Sequence, residues 1–254
     1  MIFSVNYQSE HKQEAGEIKC PYNQLGLIFD FIKSNPNKRI NITGCDDTVD
    51  MKKLIEQVEF VKEVASDYTI ECGNVIVFNH LKEHGYNAYL RFPVTDWETF
   101  QNLRKLEVSD IYIDGPLGFC RNNISFGKGN IKIRVSPTVS PNASLINRSI
   151  CSFYIRPEDL KYYEDMIDIV DFKVDMIERE DALFSIYNRG EFYYPIDQLI
   201  PGLPSVSNVF FKEDFVNKRL QCLQKCMTPC RSCKHCETYF SVVEKMEELM
   251  KRSD

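Results

Sequence analysis

The stretch RINITGCDDTVDMKKLIEQVEFVKEVASDYTIEC, residues 39–72, decides the fold because a strand, a helix and a second strand follow one another in it. RINIT (39–43) and YTIEC (68–72) alternate apolar and polar residues with the period of a β-strand, while residues 50–64 have helical character. Two strands separated by a helix are typical of a parallel pair, because parallel neighbours need a crossover, which is right-handed. The stretch therefore predicts one β/α unit of a parallel sheet.

The same unit recurs along residues 1–195. Eight segments are predicted as strands: IFSVN (2–6), RINIT (39–43), YTIEC (68–72), NAYLRF (87–92), DIYID (110–114), IKIRVS (131–136), SFYIR (152–156) and VDFKV (170–174). Helical segments lie between them, including residues 22–35 and NVIVFNHLKEHG (74–85), which ends at Gly85 as helix C-termini often do. This pattern predicts an α/β fold, a small (β/α)8 barrel of the TIM type, followed by a Cys-rich C-terminal segment with a terminal helix at 196–254. An open doubly wound parallel sheet is the alternative.

The composition describes a globular chain with a net negative charge. The net charge of −6 and the pI near 5.4 argue against a protein that coats nucleic acid, because such a protein needs a basic surface. A local nucleic-acid contact and a protein partner stay open. No run approaches the roughly 20 apolar residues that span a bilayer, and no secretory leader is recognisable. We therefore expect a cytoplasmic protein without a membrane partner, whose ten cysteines are thiols or metal ligands rather than disulfides.

The predicted strands carry polar residues on one face, whereas fully buried parallel strands usually form continuous apolar runs. In RINIT, for example, Ile40 and Ile42 share one face and Asn41 and Thr43 the other. If the apolar face packs under the helices, the polar face lines the barrel interior. Unpaired charges there would cost several kcal/mol each, so they must pair, be solvated or meet a ligand.

Six charged residues lie at or near the C-terminal ends of the predicted strands, the end at which barrel enzymes build their active sites: Glu71, Arg91, Asp114, Arg134, Arg156 and Lys173. The two acids are candidate catalytic groups for proton transfer, and the four cations are candidate substrate-binding groups. Four cations against two acids favour a small anionic or nucleotide-like substrate, such as a carboxylate or phosphate compound. The alternative is an internal network of salt bridges that binds no ligand.

The segment CLQKCMTPCRSCKHC places five candidate metal ligands within fifteen residues: Cys222, Cys226, Cys230, Cys233 and Cys236. The spacing C-x3-C-x3-C-x2-C-x2-C lacks the spacer that usually separates the two C-x2-C pairs of a zinc site. Pro229 disfavours one continuous helix with all the cysteines on a single face. The tight spacing favours a four-iron, four-sulfur cluster, with zinc as the alternative cofactor and free thiols or disulfides as a third interpretation.

A small (β/α) barrel with a C-terminal cysteine set resembles the collagenase-like peptidase family, which includes bacterial proteins for RNA and ubiquinone hydroxylation. Members of that family bind an iron–sulfur cluster through four cysteines, which would correspond here to the Cys222 to Cys236 set as a group. GPLGFCRNN (115–123) shares with the family glycines and a cysteine after a strand, although the family's cysteines are more widely spaced. The resemblance implies oxidoreductase, hydroxylation-type or peptidase-like chemistry and assigns no catalytic residue by position.

Two functional hypotheses follow. The first is an iron–sulfur barrel enzyme with a polar, net cationic pocket. The second is a non-catalytic interaction protein in which zinc staples the C-terminal segment and the inward charges pair among themselves. The sequence contains no Walker-type loop, no G-x-S-x-G elbow and no strand-linked G-x-G-x-x-G, which argues against nucleotide hydrolysis, serine hydrolase chemistry and dinucleotide binding.

Overall fold

A computed structural model describes residues 1–92, 94, 97–113, 129–136, 157–172 and 176–190 of the chain. These residues contain eight strands: β1 (Ile2–Asn6), β2 (Glu17–Pro21), β3 (Arg39–Cys45), β4 (Asp67–Cys72), β5 (Ala88–Leu90), β6 (Asp110–Ile113), β7 (Lys132–Val135) and β8 (Ile169–Asp171). All pairings between them are parallel, and the strand order is β5-β4-β3-β2-β1-β8-β7-β6.

The two outer strands of this order, β5 and β6, meet and bring the sheet close to a full circle. The amide of Ser109 donates to the carbonyl of Ala88 at 3.3 Å, and the amide of Val94 donates to the carbonyl of Tyr112 at 2.8 Å. Val94 also forms a parallel bridge with Ile113. The predicted (β/α)8 barrel is therefore confirmed, and the open doubly wound sheet is wrong because its two edge strands would lie far apart.

The barrel uses one strand that the sequence pattern did not reveal. Seven predicted strands overlap β1 and β3 to β8, and the eighth, SFYIR at 152–156, lies outside the described residues. The strand that was not predicted is β2. Its sequence EIKCP holds only Ile18 and Cys20 as apolar residues before Pro21. Its polar positions, Glu17 and Lys19, supply two of the central charges of the barrel interior.

Helices lie between the strands: α1 (Phe29–Ser34), α2 (Met51–Val64), α3 (Val75–Glu83), α4 (Trp97–Lys105) and α5 (Ile177–Arg189), with 3-10 helices at Glu10–Gln13, Tyr22–Ile28 and Pro157–Tyr163. The Asp50 carboxylate caps α2 by accepting a hydrogen bond from the amide of Lys53 at 3.1 Å. Gly85, with φ of +77°, follows the last turn of α3, which confirms the predicted helix end. The helix predicted for 22–35 is α-helical only in its second half.

The outward face of the strands forms the hydrophobic core beneath the helices. Ile18, Ile40 and Ile70 are fully buried on neighbouring strands, and Leu54 and Val58 of α2 belong to the same cluster. Each such side chain contributes about 1.5–3 kcal/mol through burial. The helices therefore hold the apolar face of the barrel wall, and the opposite face is left for polar residues.

The predicted division at residue 195 and the cysteine segment after it lie outside the described residues. Among the helices that the structure describes, none has the length and apolar character needed to cross a bilayer.

Candidate functional site

The barrel interior is polar, as the alternation within the strands predicted. Strand register aligns inward-facing residues on neighbouring strands, such as Glu17 with Arg39, Lys19 with Asn41, and Glu71 with Tyr89. Among the described residues, the fully or nearly fully buried polar side chains are Ser4, Ser9, Glu17, Arg39, Asn41, Thr69, Glu71, Asp110, Arg134, Ser136, Asp171 and Glu180. Most of them lie on the inner face of the barrel, where each needs a polar partner or a ligand.

Two bidentate ion pairs cross the half of the barrel interior that lies nearer the N-terminal ends of the strands. Arg39 donates to both carboxylate oxygens of Asp110, at 2.9 and 2.7 Å. Arg134 donates to both carboxylate oxygens of Glu17, each at 2.7 Å, and its Nη1 also donates to Asp171 at 3.3 Å. Both pairs join strands that are not neighbours in the sheet, so they tie opposite parts of the wall together.

The buried charges in this network stabilise one another's ionised forms. Burial alone would raise the pKa of the Asp110 carboxyl, but the guanidinium groups of Arg39 and Arg134 outweigh burial and lower it. Burial would likewise lower the pKa of Arg134, and the surrounding acids, above all Glu17, raise it instead. Asp110 and Arg134 are therefore both charged at neutral pH.

Tyr89 connects two of the predicted site residues. Its hydroxyl donates to Glu71 Oε2 at 2.7 Å and accepts from Asn41 Nδ2 at 3.1 Å, while the Arg134 guanidinium lies 5.0 Å from the ring centre. Burial, reinforced by the charge of Glu71, raises the pKa of Tyr89 well above its ordinary value, so the hydroxyl keeps its proton. Asn41 Oδ1 is buried and has no hydrogen-bond partner within the described part of the chain.

The C-terminal mouth, the end of the barrel at which the strands end, holds a second cluster around Lys19. The Lys19 ammonium donates to Asp171 Oδ1 at 2.8 Å, to Glu180 Oε2 at 3.1 Å and to the carbonyl of Phe172 at 3.2 Å. The other oxygen of Glu180 accepts from the backbone amide of Asn6. Burial would lower the pKa of Lys19, but the carboxylates of Asp171 and Glu180 raise it, so Lys19 is a fixed cation.

The predicted site residues occupy three different environments. Glu71 is 7% exposed at the end of β4, and Arg91 is exposed directly after the neighbouring β5, with its amide donating to the carbonyl of Cys72 at 3.0 Å. Arg134 is fully buried below them. The structure thus brings Glu71 and Arg134 together through Tyr89 and places Arg91 at the rim. The remaining predicted residues lie outside the described part of the chain: Asp114, Arg156, Lys173, Cys222, Cys226, Cys230, Cys233 and Cys236.

Six charged members of the interior clusters were not among the predicted site residues: Glu17, Lys19, Arg39, Asp110, Asp171 and Glu180. Glu17 and Lys19 were missed together with β2, although the alternation of EIKC between Gly16 and Pro21 is a detectable, short strand signal. Glu180 comes from the first turn of α5, and no local pattern indicates that a helix residue reaches into the barrel.

Three cysteines of the described residues lie on neighbouring strands near the mouth, on the outward face. Cys20, Cys45 and Cys72 are buried free thiols, and Cys45 and Cys72 are register partners on β3 and β4. Burial raises the pKa of Cys20 and of Cys72 to about 12, so both thiols are protonated and unreactive at neutral pH. Within the described residues, no group of three or more His, Cys, Asp or Glu side chains is arranged to hold a metal ion.

Comparisons with known proteins assign no family. No protein-family model matches the chain, and no curated protein matches it. Among solved structures, the chain is similar to a glycerol uptake operon antiterminator-related protein from Thermotoga maritima, with 12% identity and a TM-score of 0.41 over 67% of this chain and 95% of that chain. With so low a TM-score, the fold assignment rests on the strand order and closure of the barrel itself.

Proposed function

We propose that the chain is a barrel enzyme whose C-terminal mouth binds a small anionic or nucleotide-like substrate and whose Cys222 to Cys236 segment carries a four-iron, four-sulfur cluster. The observation that best supports a binding site at the mouth is the group of polar side chains there: Glu71 and Glu180 are buried, and Lys19 is half-buried. Barrel enzymes build their active sites at this end, because side chains from several strand ends and loops converge there.

Glu71 is the proposed proton-transfer group among the described residues, with Asp114 as the second acid. Glu71 is buried at the end of β4, and it accepts a hydrogen bond from a Tyr89 hydroxyl that keeps its proton. A carboxylate held in one orientation near the mouth can take a proton from a bound substrate or return it. Tyr89 is a positioning residue in this proposal because it acts through Glu71.

Arg91 is the described cation best suited to bind an anionic group. It is exposed at the rim, where its charge also helps to lower the pKa of the Asp46 carboxyl. Arg156 and Lys173 are the further proposed substrate contacts. Arg134 stays a predicted substrate contact, although Glu17 binds both of its terminal nitrogens here. A ligand that reached Arg134 would have to compete with that bidentate pair.

The proposed cluster site fits the donor chemistry of the cysteine segment. A four-iron, four-sulfur cluster needs four thiolates, and the segment supplies five within fifteen residues, three of them as C-x2-C-x2-C. When bound, such a cluster would carry electrons or activate the substrate. The proposal includes no role in the cluster for the buried thiols of Cys20, Cys45 and Cys72, which lie on the outer face of the barrel wall.

One observation favours the second candidate, a non-catalytic zinc-binding interaction protein. The interior cations Lys19, Arg39 and Arg134 are each bound by at least one carboxylate of the barrel. An interior that satisfies its own charges needs no ligand for stability. In this alternative the cysteine segment binds zinc and fixes the C-terminal part of the chain.

Anaerobic purification followed by metal and sulfide analysis separates the two candidates. A brown protein with iron and acid-labile sulfide in equal amounts supports the enzyme, whereas stoichiometric zinc without iron would exclude it. The double variant Cys230→Ser, Cys233→Ser should lose the metal in either case. Cys151→Ser, outside the cysteine segment, is the matched control and should retain it.

A further inference from the structure

A carboxylate from a helix occupies the Lys19 cluster at the mouth. Glu180 lies in the first turn of α5 and is 4% exposed. One of its oxygens is bound by the Lys19 ammonium at 3.1 Å, and the other accepts from the backbone amide of Asn6. An ammonium and an amide that grip the two oxygens of one carboxylate form a site for a carboxylate in general.

Glu180 is the exchangeable ligand of Lys19. An ammonium group has three N–H donors, and Asp171, Phe172 and Glu180 take all of them. Asp171 belongs to β8 and is also bound by Arg134, and the Phe172 acceptor is a backbone carbonyl next to that strand. Glu180 lies on a helix, so its side chain can turn away from Lys19 without breaking the Asp171–Arg134 contact of the barrel wall.

An unused acceptor lies beside Lys19. Asn41 is the register partner of Lys19 on β3, and its Oδ1 is buried without a hydrogen-bond partner in the described part of the chain. The orientation of the amide is fixed, because the single hydroxyl hydrogen of Tyr89 goes to Glu71 and Tyr89 must therefore accept from Asn41 Nδ2. Oδ1 remains available to accept a hydrogen bond from a ligand.

We propose that Lys19, the Asn6 amide and Asn41 form a binding site for a small organic acid with a hydroxyl or amino group, and that Glu180 closes this site when no ligand is bound. The ligand carboxylate takes the place of the Glu180 carboxylate, and its hydroxyl or amino group donates to Asn41 Oδ1. The inference rests on the proposed function, for which it names the substrate class.

An internal carboxylate is a strong competitor, because it is tethered next to its site at a high effective concentration. The intact protein should therefore bind short carboxylates weakly. Glu180→Ala removes the competitor and leaves Lys19 and the Asn6 amide to an added carboxylate. Binding to the folded state then appears as a rise in melting temperature.

The test is chemical rescue of Glu180→Ala by sodium acetate and by sodium glycolate, compared with sodium chloride at equal ionic strength. A rise in melting temperature of about 3–6 °C is expected at ten times the dissociation constant, with a logarithmic increase at higher concentrations. Glycolate should give the same rise at a lower concentration than acetate, because only glycolate has a hydroxyl that can donate to Asn41. The carboxylate-dependent rise in melting temperature should vanish in the double variant Glu180→Ala, Lys19→Met. Glu178→Ala, an exposed acid in the same helix turn, should show no carboxylate effect.

Glu180→Gln keeps the inference testable if the alanine variant does not fold. The glutamine amide retains an acceptor but carries no charge, so acetate should displace it more easily than it displaces the native carboxylate. The rise in melting temperature should be smaller than in Glu180→Ala. An equal response to chloride and carboxylate in both variants would overturn the inference, as would rescue that persists without Lys19. This readout needs no cluster and no turnover, so it can succeed or fail independently of the proposed enzyme.

Discussion

Arg134 and Glu17 meet across the barrel interior in a bidentate ion pair with both nitrogen–oxygen distances at 2.7 Å, although their strands are separated in the sheet by β1 and β8. Glu17 also accepts from the Ser4 hydroxyl at 2.5 Å, and Arg39 Nε lies 3.5 Å from it. One carboxylate thus balances charge from two arginines. The interior therefore depends on Glu17 as a shared counter-charge for Arg134 and Arg39.

Replacement of Glu17 by Gln should therefore destabilise the barrel strongly. The buried Arg134 guanidinium would lose its main counter-charge, and an uncompensated buried charge costs about 3–5 kcal/mol. Urea unfolding measures the loss. Glu56→Gln, which changes an exposed acid on α2, should alter the free energy of unfolding by less than about 0.5 kcal/mol. A loss below about 1 kcal/mol for Glu17→Gln would show that the network is not a structural core.

Asp110 should make the protein sensitive to acid. Its pKa is lower in the folded state than the ordinary value of 3.8, because Arg39 and Arg134 stabilise the carboxylate. The resulting stability is present above the unfolded pKa and is lost as the pH falls through the folded pKa. Unfolding followed between pH 5 and 2 should show a shallower pH dependence for Asp110→Asn than for the native chain. Equal slopes would mean that Asp110 titrates alike in both states.

The buried thiols should limit stability in alkali. The pKa values of Cys20 and Cys72 are raised to about 12 in the folded state, whereas the unfolded thiols ionise near their ordinary value of 9.0. Stability is therefore complete below the unfolded pKa and falls as the pH rises above it, by about 1.4 kcal/mol per pH unit for each thiol. Chemical unfolding between pH 8.5 and 10.5 measures this slope.

The double variant Cys20→Ala, Cys72→Ala should have a shallower alkaline slope, of which the buried Cys45 thiol, whose pKa is also raised, leaves a part. This holds even if the smaller side chains reduce the stability at pH 7. The slope is the informative quantity, because a packing defect shifts the curve without changing its pH dependence. An unchanged slope would contradict the burial of these two thiols in the barrel wall.

Arg91 should decide the affinity for an anionic group at the mouth. If Arg91 binds the substrate anion, Arg91→Ala should weaken the binding of inorganic phosphate or AMP at least tenfold, which calorimetric titration can measure. Arg104→Ala, an exposed cation in the last turn of α4, is the matched control and should leave the affinity unchanged. Equal losses in both variants would indicate general electrostatic attraction rather than a site.

The barrel and its polar lining follow from local sequence patterns, whereas the partners of the charges do not. Alternation in RINIT and DIYID is enough to predict both the strand and the face on which Asn41 and Tyr112 lie. Arg134 and Glu17 are 117 residues apart in the chain, and Lys19 and Glu180 are 161 apart. Which acid meets which base depends on the strand order and on the tilt of the barrel, and periodicity carries no information about either.

Strand β2 could not be predicted from its sequence pattern with the same ease as the other strands. Its short alternation ends at Pro21, and a proline normally argues against a central strand because it cannot donate to the sheet. Here Pro21 is the last residue of the strand, where the loss of its donor is tolerated. Because β2 was not predicted, Glu17 and Lys19 were left out of the predicted pocket. The prediction therefore gave the pocket a larger excess of cations than the described interior has.

A crystal structure of the anaerobically purified chain, with anomalous scattering measured at the iron edge, tests the central claim most directly, because it locates the metal relative to the mouth. The account predicts iron bound by four of the cysteines between Cys222 and Cys236, within reach of the barrel end that holds Glu71 and Lys19. Zinc at those cysteines, or iron bound at the opposite end of the barrel, would contradict it.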